Sequence, residues 1–393
     1  MQYRTNEKNG DKLSALGMGC MRFPKTTTGA VDIIKAKELV KLAIDSGINY
    51  FDVAYIYRGC EEALGIALEG YREKVKIATK LPLLNIKKYE DFDAIFEAQL
   101  KSLRTTYIDY YLMHMLSSMQ LWENLKKIGI ERWIEEKKKQ GKIKNIGFSF
   151  HGSRNEFLKL VEAYPWEFVM VQYNYVDENT QASRQGVELC ESKGIPVFIM
   201  EPLRGGYLTY KLPKKAKKIV QNSGKTAADI ALRWLWNQNA IKMVLSGMTT
   251  KEQILENVQT AEDALVGNFL DGDNRIIEKI KSEINRKMIV SCTGCGYCMP
   301  CPFGVNIPGC FSSRNDRANG FVLGFKQYVL SCGMASNNHA GASKCKGCGI
   351  CEKHCPQNIK IKDSIKEVKH KLEPFWFRWA MPLVRKFISK KQK

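Results

Sequence analysis

The stretch Ile33–Tyr57, IIKAKELVKLAIDSGINYFDVAYIY, changes periodicity once, at Gly47. Before that glycine, apolar residues recur at three- and four-residue intervals, which predicts an amphipathic helix with Gly47 as its stop. After it, INYFDVA is a short apolar run of strand type. The same alternation continues to about residue 265, through the runs LGMGCM, KVKIATK, IDYYLMH, IKNIGFS, FVMVQYN, IPVFIME and KMVLSG. Helical patterns such as AADIALRWLWNQN lie between them. Strand-like runs separated by helices predict an α/β protein, an eight-stranded parallel (β/α)8 barrel. A doubly wound open sheet is the alternative. It calls for a Gly-rich turn after the first strand, and GMGCMR matches that turn poorly. The segment EKNGDK predicts a hairpin turned at Asn9-Gly10, placed to plug the bottom of the barrel.

The barrel accounts for residues 1–285, with a charged helix from Asp271 to Met288 leading out of it. A cysteine-rich unit at 286–365 reads as a small helical and loop ferredoxin-like iron–sulfur domain, and 366–393 is a basic, aromatic tail. The tail mixes Phe375, Trp376, Phe377 and Trp379 with Arg378, Arg385 and Lys386. Such a helix can lie on an anionic membrane surface or pack its aromatics against protein; Pro382 would interrupt it. The net charge of +20 attracts anions, whether a phosphorylated cofactor, an acidic protein partner or an anionic membrane. Lysine-rich stretches such as EEKKKQGKIK also read simply as solvated helix faces. No basic stretch is interleaved with a nucleic-acid-reading motif, so no nucleic-acid partner is expected. MQYRTNEKNGDK carries no apolar run behind its charges, and nothing approaches the ~20 apolar residues of a membrane span. A cytoplasmic location is expected.

Of 13 cysteines, ten crowd between Cys292 and Cys355. Without an export signal, clustered cysteines read as metal ligands rather than disulfides. CKGCGICEKHCP supplies Cys345, Cys348, Cys351 and Cys355 in the C-x2-C-x2-C-x3-C-P spacing that wraps a [4Fe–4S] cluster. CTGCGYCMPCP supplies Cys292, Cys295, Cys298 and Cys301, with the last gap one residue shorter. In two-cluster ferredoxins the fourth cysteine of each run ligates the other cluster. The expected sets are therefore Cys292, Cys295 and Cys298 with Cys355, and Cys345, Cys348 and Cys351 with Cys301. The shortened gap leaves Cys310 or Cys332 as alternatives to Cys301. Zinc, the competing metal, usually takes two separated C-x2-C pairs.

Barrel chemistry sits at the C-terminal ends of strands. Asp52 and Tyr57 fall after the second run, Lys80 ends the third and His114 ends the fourth. Each alone reads as a cap, a rim aromatic, a surface charge or a buried hydrogen-bonder. Together they form an acid–base cluster. FDVAYIY, ATK and LMH resemble the tetrad motifs of the aldo/keto reductases, and IGFSFHG, VQYNYVD and SGMTTKEQILEN continue that pattern in order. The resemblance covers residues 10–265. The whole chain is similar to the subgroup with a C-terminal two-cluster domain.

The resemblance implies hydride exchange between NAD(P)H and a small carbonyl or alcohol. Tyr57 would protonate the nascent alkoxide, with Lys80 pulling its pKa toward neutrality; Asp52 would hold Lys80 and His114 would orient the carbonyl oxygen. It also implies cofactor contacts at Gly19, Met21, Arg22 and Asp52, with Ser149 and Gln172 on the carboxamide. Met200, Leu203, Arg204, Gly205, Ser246, Gly247, Met248, Gln253 and Asn257 would complete the cofactor site. PLRGG and the helix near Thr250 offer the phosphate end. Met200 stands where an aromatic is frequent, and Phe150 where an asparagine is. Gly247 and Gln253 stand where NADP-preferring members carry cations, with Lys251 near to compensate. NAD and NADP both stay open.

A nicotinamide gives up two electrons at once, whereas a cluster passes one. The cysteine unit therefore serves a flavin or radical intermediate, docks an electron-transfer protein, or braces the fold. The alternatives to a reductase are a flavin-using electron-transfer protein on the same barrel and a redox-sensing module with an inactive barrel. The intact tetrad counts against the last.

Overall fold

The computed structural model describes residues 1–382 apart from 153, 179–180, 293, 295, 319, 335–338 and 378. Asp32 caps the helix Ile33–Asp45 by accepting from the Lys35 N–H. The helix buries Ala36, Leu39, Val40 and Ala43, and Gly47 turns the chain at φ 89°. Cβ-bearing residues avoid that backbone region, so the glycine ends the helix as its periodicity predicts.

Strands β1 (Tyr3–Thr5) and β2 (Lys12–Ser14) pair antiparallel as the expected hairpin. Then β3 (Leu16–Gly19), β4 (Tyr50–Asp52), β5 (Lys76–Pro82), β6 (Ile108–His114) and β7 (Ile143–Phe150) follow, each parallel to the last. After β8 (Phe168–Gln172) and β9 (Val197–Met200), β10 (Ile241–Ser246) pairs with β3 and closes the barrel. The lumen is filled rather than hollow. Tyr50, Tyr110, Phe168 and Phe198 interlock there, with ring centroids 5.0–5.6 Å apart along the chain of contacts. The hairpin sits against this layer. Tyr110 donates to Asp11 Oδ2 (2.8 Å), Asn9 Nδ2 donates to Asn145 Oδ1 (2.8 Å), and Lys76 pairs with Asp11. The packing below the lumen thus leaves the opposite, C-terminal end of the strands for chemistry.

The first compact unit comprises Met1–Lys211 and Val220–Ile277. The second comprises Leu212–Ile219 and the chain from Glu278, and it has its own core. The helices Ile307–Arg317, Phe321–Ser331 and Ile361–Leu372 gather Ile307, Cys310, Phe311, Tyr328, Ile365, Val368 and Leu372 into it. Asn306 starts the first of these by accepting from Gly309 N–H. In the tail, Phe377 is buried and meets Phe325 at 5.1 Å, whereas Phe375, Trp376 and Trp379 are 76%, 53% and 69% exposed. Arg378, Arg385 and Lys386 lie outside the described residues. So does the stretch beyond Pro382 where an interruption is expected. Among the described residues, no helix is long and apolar enough to cross a membrane.

Candidate functional site

The strand ends bring the four acid–base residues together. Asp52 is the last residue of β4, His114 the last of β6, and Lys80 lies two residues before the end of β5. Tyr57 sits in the turn before the helix Cys60–Ala67. Lys80 Nζ donates to Asp52 Oδ1 (2.6 Å) and to the Val53 carbonyl (2.7 Å), with both side chains nearly inaccessible to water. A buried ammonium persists only when paired in this way. The same Nζ lies 5.4 Å from the centre of the Tyr57 ring, and the Tyr57 and His114 rings meet edge to face at 6.2 Å.

The electrostatics differ from the sequence expectation in one respect. The Tyr57 phenol lies well above its ordinary value, raised by burial first and then by the charges of Asp52 and Glu201. Burial, with Asp52 and Glu201, therefore sets the direction, against the lowering by Lys80 expected from the sequence. Burial likewise raises Asp52, against the opposing pull of Lys80. Burial holds His114 down at about 3, with Lys80 and His151 adding to the effect, so its imidazole is neutral at physiological pH.

Around this cluster lie the residues expected to hold a cofactor. Ser149 Oγ accepts from the N–H of Met115 (2.9 Å), a residue held at φ 58° just past His114. Gln172 ends β8 and donates from Nε2 to Asp177 (2.9 Å), while its buried Oε1 has no hydrogen-bond partner among the described residues. That orphaned acceptor fits a primary amide N–H, the group a nicotinamide carboxamide presents. Met200 ends β9 and packs on the barrel core.

At the loops after β9 and β10, Arg22 lies between two glycines. A Cβ added to Gly205 would come within 3.2 Å of its Nη2, and one added to Gly247 within 3.2 Å of its Cδ. Gly205 also holds φ 65°, after Leu203 and Arg204. Gly19 ends β3 beside Ser246, whose Oγ accepts from Asn257 Nδ2 at 3.2 Å. Met248 is buried and Met21 exposed. Gln253 is committed to Tyr210 (2.7 Å) and to the Thr249 N–H (2.8 Å); Lys251 pairs with Glu38 at 3.2 Å on the surface. The cation in the glycine cradle is therefore Arg22.

Glu201 was not singled out from the sequence. It follows β9 directly, holds φ 54°, and its carboxyl is pushed up to about 7 by burial and by Asp177, with Arg204 and Arg22 opposing. Its place at a strand end in IPVFIME was the available signal.

In the second unit two cysteine-lined hollows stand apart. One is lined by Cys301, Cys345, Cys348 and Cys351. The other is lined by Cys292, Cys298 and Cys355; Cys295 lies outside the described residues. Each hollow mixes the two runs as the crossed-ligand rule expects. Cys301 lies with the second run, whereas Cys310 and Cys332 line neither hollow and face one another instead. Cysteines are the donor type an iron–sulfur cluster takes once deprotonated; among the described residues, no three metal-ligating side chains come close enough together to hold a single metal ion.

Comparison with known proteins agrees with both halves. The profile of the aldo/keto reductase family matches residues 15–271, and that of a 4Fe-4S dicluster domain matches 291–361. Protein REDOX 2 of Catharanthus roseus is 28% identical over 307 residues, covering 69% of this chain and 88% of that protein. Glyoxal reductase of Bacillus subtilis (strain 168) is 28% identical, covering 67% and 88%. Among solved structures, the holo form of aldo-keto reductase AKR11C1 from Bacillus halodurans superposes with a TM-score of 0.60 at 23% identity, over 71% of this chain and 96% of that one. An aldo-keto reductase from Klebsiella pneumoniae in complex with NADPH gives 0.59 at 20% identity, over 70% and 95%. At these identities the structural likeness concerns the fold.

Proposed function

Because the chain belongs to the aldo/keto reductase family of oxidoreductases and carries a 4Fe-4S dicluster domain, we propose that its barrel transfers hydride between NAD(P)H and a small carbonyl or alcohol. The observation that carries this reading is the buried Lys80–Asp52 pair at 2.6 Å with the Tyr57 ring 5.4 Å from the ammonium.

A bound nicotinamide supplies the hydride. Tyr57 donates its phenolic proton to the carbonyl oxygen as charge develops there. Its raised pKa keeps it protonated and ready for reduction. The tyrosinate left behind meets the Lys80 ammonium, whose position Asp52 and the Val53 carbonyl fix. Neutral His114 donates a hydrogen bond to the same oxygen without adding a charge that would compete with Lys80. Gln172 Oε1 would accept from the carboxamide and Ser149 would complete that end. Arg22, held between Gly205 and Gly247, would supply a cation to the phosphates; this leaves both NADH and NADPH as donors to be compared.

For the second unit, Cys292, Cys295, Cys298 and Cys355 would hold one [4Fe–4S] cluster, and Cys345, Cys348, Cys351 and Cys301 the other. Such clusters carry electrons singly, so a protein electron carrier is the partner class. The compact units divide at Ile277/Glu278 rather than near the expected residue 286, and both cysteine runs fall in the second.

The test is carbonyl-dependent oxidation of NADH and NADPH by anaerobically prepared protein across a panel of aldehydes and ketones. Tyr57→Phe should lower kcat by about 10²–10⁴-fold, the share of a general acid, with thermal stability preserved. Undiminished turnover in that variant would overturn the proposal. A tightly bound yellow chromophore with no carbonyl-dependent oxidation would replace it with the flavin reading.

A further inference from the structure

The carboxylate of Asp177 gathers three side chains at the C-terminal end of the barrel. Gln172, at the end of β8, donates from Nε2 to Asp177 Oδ2 (2.9 Å). Asn174 donates from Nδ2 to the same oxygen (2.9 Å). Arg204, in the loop after β9, places its Nε 3.3 Å from that oxygen as an ion pair. Asn174 is itself held in one orientation, because its Oδ1 accepts the backbone N–H groups of Val176 and Asp177, each at 3.0 Å. All four residues are buried. An ionised carboxylate only accepts hydrogen bonds, whereas a glutamine amide can offer either its N–H groups or its oxygen by turning over. Asp177 removes that choice. With Nε2 taken by the carboxylate, Oε1 is the end left for a ligand, and it has no hydrogen-bond partner among the described residues.

We propose that Asp177 is a positioning residue that makes the nicotinamide subsite selective for a carboxamide, by locking Gln172 to accept a hydrogen bond there and not to donate one. This deepens the reading of the barrel as a nicotinamide-dependent reductase and rests on it. A carboxamide satisfies Gln172 Oε1 with an N–H. A pyridine ring carrying a ketone, an ester or a carboxylate at that place brings no donor and leaves the buried oxygen unpaired. An unpaired buried acceptor weakens binding by about 10–100-fold. The carboxylate, not the glutamine alone, carries the selectivity, because an amide free to turn over would meet either kind of ring with a suitable end. The competing explanation is that Asp177 serves Arg204 only, as the counter-charge that a buried guanidinium requires.

The experiment measures dissociation constants on the full-length protein by quenching of tryptophan fluorescence. The probes are NAD+ and NADP+, each against its acetylpyridine analogue, in which a methyl ketone replaces the carboxamide. The wild type should bind the carboxamide member of a pair about 10–100-fold more tightly. In Asp177→Asn the amide introduced at that position can donate or accept, Gln172 can turn over, and the ratio should shrink toward unity. Service to Arg204 alone would weaken both members alike and leave the ratio as in the wild type, which overturns the proposal. Should Asp177→Asn fail to fold, Asn174→Ala takes its place. It removes the side chain that brackets Asp177 and should narrow the same ratio, and an unchanged ratio overturns the proposal there too. Equal affinities in the wild type overturn it without any variant. Binding of the dinucleotides with no preference sinks this inference alone, whereas a wild type that binds none of them sinks the reductase reading with it.

Discussion

Lys80 is 2% exposed and directs its ammonium at Asp52 and a backbone carbonyl. Removing one member of such a pair strands the other, at a cost of about 3–5 kcal/mol, whereas removing both can be nearly neutral. Lys80→Met should therefore lower the denaturant midpoint strongly. Lys80→Met with Asp52→Leu should recover much of the loss while staying inactive. A double variant no more stable than the single one would show that the pairing is not what holds the site. At this scale the sequence was legible where strand-end placement marks chemistry: Asp52 and His114 end their strands, Lys80 lies two residues short of the end of its own, and Tyr57 follows Asp52 at a fixed offset. The direction of the Tyr57 shift was not legible. It depends on how deeply the ring is buried and on which carboxylates lie near it, and neither is written in residue identities. Glu201 escaped for a similar reason, since its raised pKa comes from Asp177 and from burial rather than from its neighbours in sequence.

The strands corresponded to apolar runs because parallel barrel strands are buried on both faces and leave little polar alternation. The run INYFDVA outlasts β4, which ends at Asp52; the carbonyl of the next residue, Val53, goes to Lys80 instead. The strand ends where this carbonyl takes a side-chain partner, something no propensity reports. In β7, Gly147 faces Phe168. A Cβ added at Gly147 would come within 2.5 Å of the Phe168 carbonyl oxygen and 2.6 Å of its ring. Gly147→Ala must push β7 from β8, costing about 1–3 kcal/mol as overpacking does. Ser149 lies two residues along and Gln172 ends β8, so nicotinamide affinity should weaken with stability. Calorimetry with and without cofactor measures both, and an unchanged Kd would separate strand spacing from the carboxamide site.

Across the whole molecule, the two cysteine runs were legible because cluster ligation depends on short spacings. The fate of Cys301, Cys310 and Cys332 was not, because it depends on how three helices fold back on one another. Iron removal should act locally: metal-binding energy in such units is folding energy, while the barrel's core of interlocked aromatics stands on its own contacts. Chelation under reducing conditions should open 291–361 to proteolysis and leave fragments spanning the barrel intact. Simultaneous digestion of both regions would contradict this.

Because each hollow draws cysteines from both runs, a nascent chain that has only reached residue 340 possesses no finished site. Cluster insertion would then wait until synthesis has passed Cys351 for one hollow and Cys355 for the other, and filling one site would preorder the loops of its neighbour. Chains in a maturing culture should accordingly divide between empty and fully loaded forms, with half-filled molecules scarce in native mass spectra.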